Sequence, residues 1–342
     1  KYSIIFLDFI FYLGISSNHL FSDEDVYALM NQSGFQLNYL IFGLGGDRTY
    51  LDNLIYGETW TGDNRYDWST FDKEFERIAR LAPQSKIIVK VVLDGARWWT
   101  AKYPEDAAYV TRGIPEYLSE RWNKDSREAL RQMVAHIQTS PYADMVIGYT
   151  LFNGPSLDCN WRPNPATPLL QKKFRDFLRK KYGTVDKLRE AWRDSMVEFE
   201  TATVSMDKSH SNPDSFQLLN CQYEQARLGD SRQFINWAWQ QPFLDFAAVI
   251  KEATHRRALV GARTGNLLYG MWGWGWTEYG GFGFYGDVGS EKINPLLESP
   301  DIDFLDQWSS YHGRVLGIAD IGDSVVPSRG LEKYIDKKQK YL

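Results

Sequence analysis

The sequence predicts an α/β fold of the barrel kind, (β/α)8, on three observations. Strand-like and helix-like segments alternate along the chain, which builds a parallel sheet with crossover helices. Several strand-like segments empty into polar loops, the arrangement by which a barrel carries its chemistry at the strands' C-terminal ends. No G-x-G-x-x-G follows the first strand-like segment, which disfavours a dinucleotide-binding sheet.

Each element has its own signal. SIIFLDFIF (3–11) is a buried strand, and SDEDVYALMNQSG (22–34) is a helix with Ser22 as N-cap and Gly34 at its end. FQLNYLIFGLG (35–45) is the second strand. DWSTFDKEFERIARLAP (67–83) is a helix with Ser69 as its cap and Pro83 beyond its end. SKIIVKVVLDG (85–95), rich in Val and Ile, is the clearest strand. A helix over 126–140 leads to VIGYTLF (146–152), a buried strand that empties into NGPSLDCNW. LLQKKFRDFLRKKYG (169–183) and TVDKLREAWRD (184–194) are two helices divided by a glycine stop and a threonine start. A long helix over 231–257 contains Pro242, which favours a kink. ALVGARTGN (258–266) and DIDFLDQWSSY (301–311) complete the strands, and KQKYL (338–342) reads as the beginning of another. A single barrel domain over 1–342 is expected, with its last strand continuing past Leu342.

The composition narrows the function. The chain has 342 residues, 43% hydrophobic and 24% charged, enough apolar matter for a large core and no disorder signature. A net charge of −5 without a basic cluster argues against a nucleic-acid partner. No apolar stretch has membrane-spanning length, so no membrane partner is expected. The apolar start is interrupted by Asp8 and reads as a strand rather than a signal peptide. Localisation stays open between secreted or periplasmic and cytoplasmic. Cys159 and Cys221 have no metal-ligand spacing, and the five histidines form no zinc pattern. No metal and no cofactor are therefore expected. Thirteen tryptophans, several in Gly-rich loops such as GMWGWGWTEYGGFGFYG (270–286), offer flat apolar faces beside polar handles. Sugar rings have matching C–H faces.

Several phrases together resemble clan A glycoside hydrolases, the TIM-barrel glycosidases, and in particular family 42 β-galactosidases. YDWSTFDKEFERI resembles their second-helix region, VIGYTLFN their fourth strand, and DIDFLDQWSSY their sixth. FRDFLRKKYGTVDKLREAW resembles their K-Y-G-T helix pair and is the most specific of the four. The resemblance covers roughly residues 35–342. It implies a retaining exo-acting β-glycosidase that works through a covalent glycosyl-enzyme, using two carboxylates about 5–5.5 Å apart. Members are often oligomers, so a homo-oligomer is compatible.

The family's fourth strand ends in Asn-Glu, with the glutamate as acid. Here Asn153 matches the asparagine, and Gly154 stands where the glutamate belongs. A second alignment, with Asn153-Gly154 over a glycine pair found in some relatives, brings Asp158 to the acid position. The nucleophile is expected just beyond Leu342, with Glu278 and Asp303 as in-chain substitutes. For substrate binding the resemblance and the loops indicate Asn153, Asp94, Arg97, Trp99, Trp161, Asn266, Trp274 and Tyr311, with Trp98 as an alternative platform to Trp99. A catalytically inactive barrel that binds carbohydrate is the alternative, and Gly154 is the residue that speaks for it.

Overall fold

The computed structural model describes residues 23–34, 36–45, 59–93, 96–152, 164–204, 222–264 and 294–307. The expected strands at 3–11 and 338–342, and the caps and loops between these ranges, lie outside the described residues.

The described chain opens with α1 (Asp23–Gln32), which ends at Gly34 with φ +77. Only glycine takes that backbone without strain, so the helix stops where the sequence indicated. β1 (Leu37–Gly43) follows, then a small antiparallel hairpin, β2 (Trp60–Gly62) and β3 (Arg65–Tyr66). α2 (Ser69–Leu81) buries Phe71, Phe75 and Ile78 at helical spacing. Ser69 is not its cap. Trp68 holds that position without a side-chain bond, and Asp67 Oδ1 accepts the Ser69 N–H at 3.0 Å. Aspartate two residues back supplies the local turn that the serine was expected to make.

β4 (Lys86–Val92) leads into the short α3 (Arg97–Lys102) and a second hairpin, β5 (Ala107–Tyr109) and β6 (Ile114–Pro115). α4 (Glu120–Thr139) starts earlier than its apolar pattern suggested, because the Ser119 side chain accepts the Trp122 N–H and caps it there. β7 (Val146–Phe152) coincides with its predicted span. α5 (Pro168–Tyr182) stops at Gly183, φ +76, and Thr184 caps α6 (Val185–Trp192) through the Lys187 N–H. α7 (Gln222–Ala253) carries Pro242 within it and begins before the predicted start. β8 (Leu259–Thr264), the one-turn α8 (Asn294–Glu298) and β9 (Phe304–Gln307) complete the described elements.

β1, β4, β7, β8 and β9 form one parallel sheet in that order. Each strand pairs with the sheet strand that follows it in sequence, and among the described residues the ladder does not close on itself. The fold is therefore α/β with a parallel sheet whose strands advance in one direction. Its two faces differ. Phe42 packs its ring on Phe71 and Phe75 of α2, at 3.8 and 6.4 Å. By strand alternation and register, Leu40, Val89, Val91, Tyr149, Leu151, Val260 and Ala262 share that helix-facing side, and all are buried. The opposite face carries Tyr39, Lys90, Thr150 and Phe304. Gly261 is required on it, since a Cβ there would stand 2.3 Å from the Phe304 ring of the next strand.

Candidate functional site

Because the strands are parallel, all their C-terminal ends lie along one edge of the sheet. Just past β1, the chain returns to this edge through Thr59 and Trp60, whose backbone N–H groups donate to the carbonyls of Gly43 and Leu44. Past β4, Arg97 opens α3 and stays exposed. Trp98, next to it, is half-buried. Its Nε1–H donates to the Trp60 carbonyl at 2.8 Å, and its ring meets the Trp60 indole edge-on at 4.9 Å. This geometry leaves Trp98 held at the edge by a hydrogen bond and a ring contact, with surface remaining toward solvent.

Trp99 corrects an expectation. It is 0% exposed, lies between the rings of Tyr103 and Trp122 at 5.1 Å from each, and donates its Nε1–H to Asp125 at 2.9 Å. Successive residues on a helix point about 100° apart, so α3 can present only one indole of the pair outward. That one is Trp98. Trp99 is core and offers no platform.

Below the edge, on the sheet face away from α2, Lys90 and Thr150 are register partners on neighbouring strands. The Lys90 ammonium sits 4.2 Å from the centroid of the Tyr39 ring, a cation–π contact in a buried setting. The Thr150 Oγ1 is buried and makes no hydrogen bond. A cation, a phenol and an unused hydroxyl thus line adjacent strands. β4 carries the cation, β1 the phenol and β7 the hydroxyl. The sequence reading missed Lys90, although the signal was present: one charge interrupts the otherwise apolar KIIVKVV.

Asp303 corrects a second expectation. It was placed inside a strand as a substitute nucleophile, but β9 begins one residue later. Its Oδ2 accepts from Lys251 Nζ at 2.5 Å and from the Val260 N–H at 2.7 Å, and Lys251 also donates to the Ala258 carbonyl at 2.8 Å. This is the N-terminal edge of the sheet, a full strand away, about 15–20 Å from the opposite ends. Asp303 ties the end of α7 to the start of β8. It cannot share a site with Arg97.

One further ionisable group lies on the C-terminal side of the sheet, between β6 and α4. Glu116 is 0% exposed, and neither carboxylate oxygen has a hydrogen-bond partner. Burial pushes its pKa up to about 8, with the Thr167 hydroxyl pulling the other way. Thr167, the residue before α5, makes no side-chain hydrogen bond of normal geometry itself. Nothing in the sequence marked Glu116, since its burial and its neighbour Thr167 come from tertiary packing.

Asp158, Glu278, Asn153, Asp94, Trp161, Asn266, Trp274 and Tyr311 lie outside the described residues, as do Gly154, Asp8, Cys159 and Cys221. Among the described residues no cluster of His, Cys, Asp and Glu is arranged to hold a metal ion, and no helix is long and apolar enough to cross a membrane.

This fold recurs in glycoside hydrolases. The β-galactosidase of the psychrophilic Marinomonas ef1 superposes with a TM-score of 0.51 at 14% identity, over 83% of this chain and 38% of that one. The catalytic domain of the β-amylase of Paenibacillus polymyxa superposes with a TM-score of 0.58 at 15% identity, over 81% of this chain and 70% of that one. The chain thus spans well under half the length of the β-galactosidase. No family's sequence profile and no curated protein sequence matches it. The fold is that of a glycosidase-like α/β protein, and the resemblance that the sequence phrases carried is found in three dimensions.

Proposed function

We propose that the chain belongs to a (β/α)8-barrel glycoside hydrolase domain acting as a retaining exo-β-glycosidase on β-linked sugars. The observation that carries this reading is the fold shared with two glycoside hydrolases over four-fifths of the chain. In it, Asp158 protonates the glycosidic oxygen, and Asn153 hydrogen-bonds the sugar 2-hydroxyl, a contact that strengthens as the oxocarbenium-like transition state forms. Arg97 and Asp94 hold hydroxyls after β4, and Trp98 replaces Trp99 as the stacking surface there. Trp161, Asn266, Trp274 and Tyr311 line the remaining pocket. With Asp303 engaged at the other edge, Glu278 is left as the in-chain carboxylate for the nucleophile.

A second reading is a carbohydrate-binding barrel without turnover. Gly154, at the position of the family's glutamate, favours it. One experiment separates the two: a panel of aryl β-glycosides, with the anomer of the first-formed sugar followed by proton NMR. Release of the β-anomer supports the retaining hydrolase, and release of the α-anomer sinks the covalent step. Silence across the panel, with saccharide binding in calorimetry, supports the second reading. Silence without binding ends both.

A further inference from the structure

The outer surface between α4 and α7 holds a groove of about 550 Å³ that has no part in the strand-end site. Trp237 of α7 forms one wall and is 42% exposed, far more than any other tryptophan among the core aromatics of this layer. Behind it, the Phe234 ring lies 6.0 Å away and supports the indole. Across the groove, Arg127 of α4 reaches Asp245 of α7 at 2.9 Å. Asn123 has its amide NH2 fixed by the carbonyls of Tyr117 and Ser119, and Gln241 completes the polar lining. Asn123 Oδ1 and Arg127 Nε lie buried behind these walls without a hydrogen-bond partner.

We infer that this groove binds a saccharide chain through stacking on Trp237 and hydrogen bonds with Arg127, Gln241 and Asp245. An exposed indole on a rigid backing matches the C–H face of a pyranose. The Gln241 amide and the Arg127–Asp245 pair present donors and acceptors within the same groove, as vicinal hydroxyls require. The lining carries both signs, with Glu120 and Asp245 among Lys124, Arg127 and Arg131, and is not a uniformly basic patch of the kind that gathers anions. A protein interface core is depleted of charge and built from several apolar side chains, whereas here a single indole stands among polar ones. The volume accommodates more than one sugar unit. The groove begins at the N-terminal half of α4, the half nearer the strands' C-terminal edge.

The inference does not depend on hydrolysis. Its test is native electrophoresis through gels containing soluble starch, a β-1,4-galactan or a mixed-linkage β-glucan. The wild-type protein is expected to be retarded in at least one gel. Trp237→Ala weakens that apparent affinity at least about fivefold, and Trp237→Phe restores most of it. Thermal midpoint and any aryl-glycoside turnover stay as in the wild type. Equal retardation of wild type and Trp237→Ala overturns the inference, as does free migration in every gel. A dimer that becomes a monomer on Trp237→Ala, read by size-exclusion chromatography, also overturns it and makes the groove a contact between copies. Retardation lost in Trp237→Ala alone upholds the groove even where the panel of aryl glycosides is silent.

Discussion

Taking a carboxyl group out of water without giving it a donor costs a fold several kcal/mol when the group is ionised, and Glu116 is in that position. Its side chain is fully buried, both oxygens are unpartnered, and burial raises its pKa from 4.5 to about 8. The sign follows directly. Between pH 4.5 and about 8 the unfolded chain has lost this proton while the folded chain keeps it. Stability contributed by this group therefore falls as pH rises through that window, and levels off above it. The slope within the window is about 1.4 kcal/mol per pH unit for a single group. Glu116→Gln removes the titration and keeps the shape. The variant is expected to melt several degrees above the wild type at pH 9 and within about a degree of it at pH 5. Parallel melting curves of the two proteins across that range would show that Glu116 is solvated or paired. Asp303 shows how finely such roles depend on position: one residue earlier than β9, it serves as the clamp of Lys251 rather than as a reacting group.

At the scale of elements, the phrases that carry the family resemblance prove to be joints. In DWSTFD, Trp68 stacks on His136 of α4 at 4.9 Å, and Asp72 meets the His136 Nε2 at 2.7 Å, so the phrase docks α2 on α4. In KYGTVDKLREAW, three side chains converge on one buried carboxylate of α7. Lys181 Nζ, Tyr182 OH and Trp192 Nε1 donate to Asp230 at 2.5, 2.7 and 2.7 Å. Burial, then the hydrogen bond and charge of Asp230, push the Tyr182 phenol pKa upward. Asp230→Ala strips the Trp192 and Tyr182 donors of their acceptor and is expected to destabilise the protein by about 2–4 kcal/mol. Urea denaturation followed by far-UV circular dichroism measures it, and an unchanged midpoint would deny the joint. These helices were legible because their stop and start signals are local: Gly183 takes φ +76 and Thr184 caps at once. The hairpins β2–β3 and β5–β6 were not legible, since strands of two or three residues show no period. The start of α4 was misplaced because Ser119 and Ser126 are both plausible caps until packing chooses between them.

At the scale of the whole molecule, strand order was readable and the site only partly so. Parallel strands that pair in sequence follow from alternating elements, and they fix which edge faces the loops. What the sequence could not give is depth. The choice between Trp98 and Trp99 was set by the orientation of a six-residue helix against Trp60 and Trp122, a tertiary matter. Lys90 was visible only as a charge out of place. The family resemblance, in the proposed chemistry, puts the proton donor in the loop that follows β7, where Asp158 is the only carboxylate before Trp161. Asp158→Asn should therefore cut kcat on glycosides with poor leaving groups by about 10²–10⁴. On aryl glycosides whose phenol departs unaided, glycosyl transfer to the enzyme should slow far less, because proton donation contributes little there. A plot of log(kcat/KM) against leaving-group pKa reads this as a steeper slope in the variant than in the wild type. Two parallel lines would remove Asp158 from the acid role and shift the weight to the reading in which Gly154 marks a barrel that holds sugar without cleaving it.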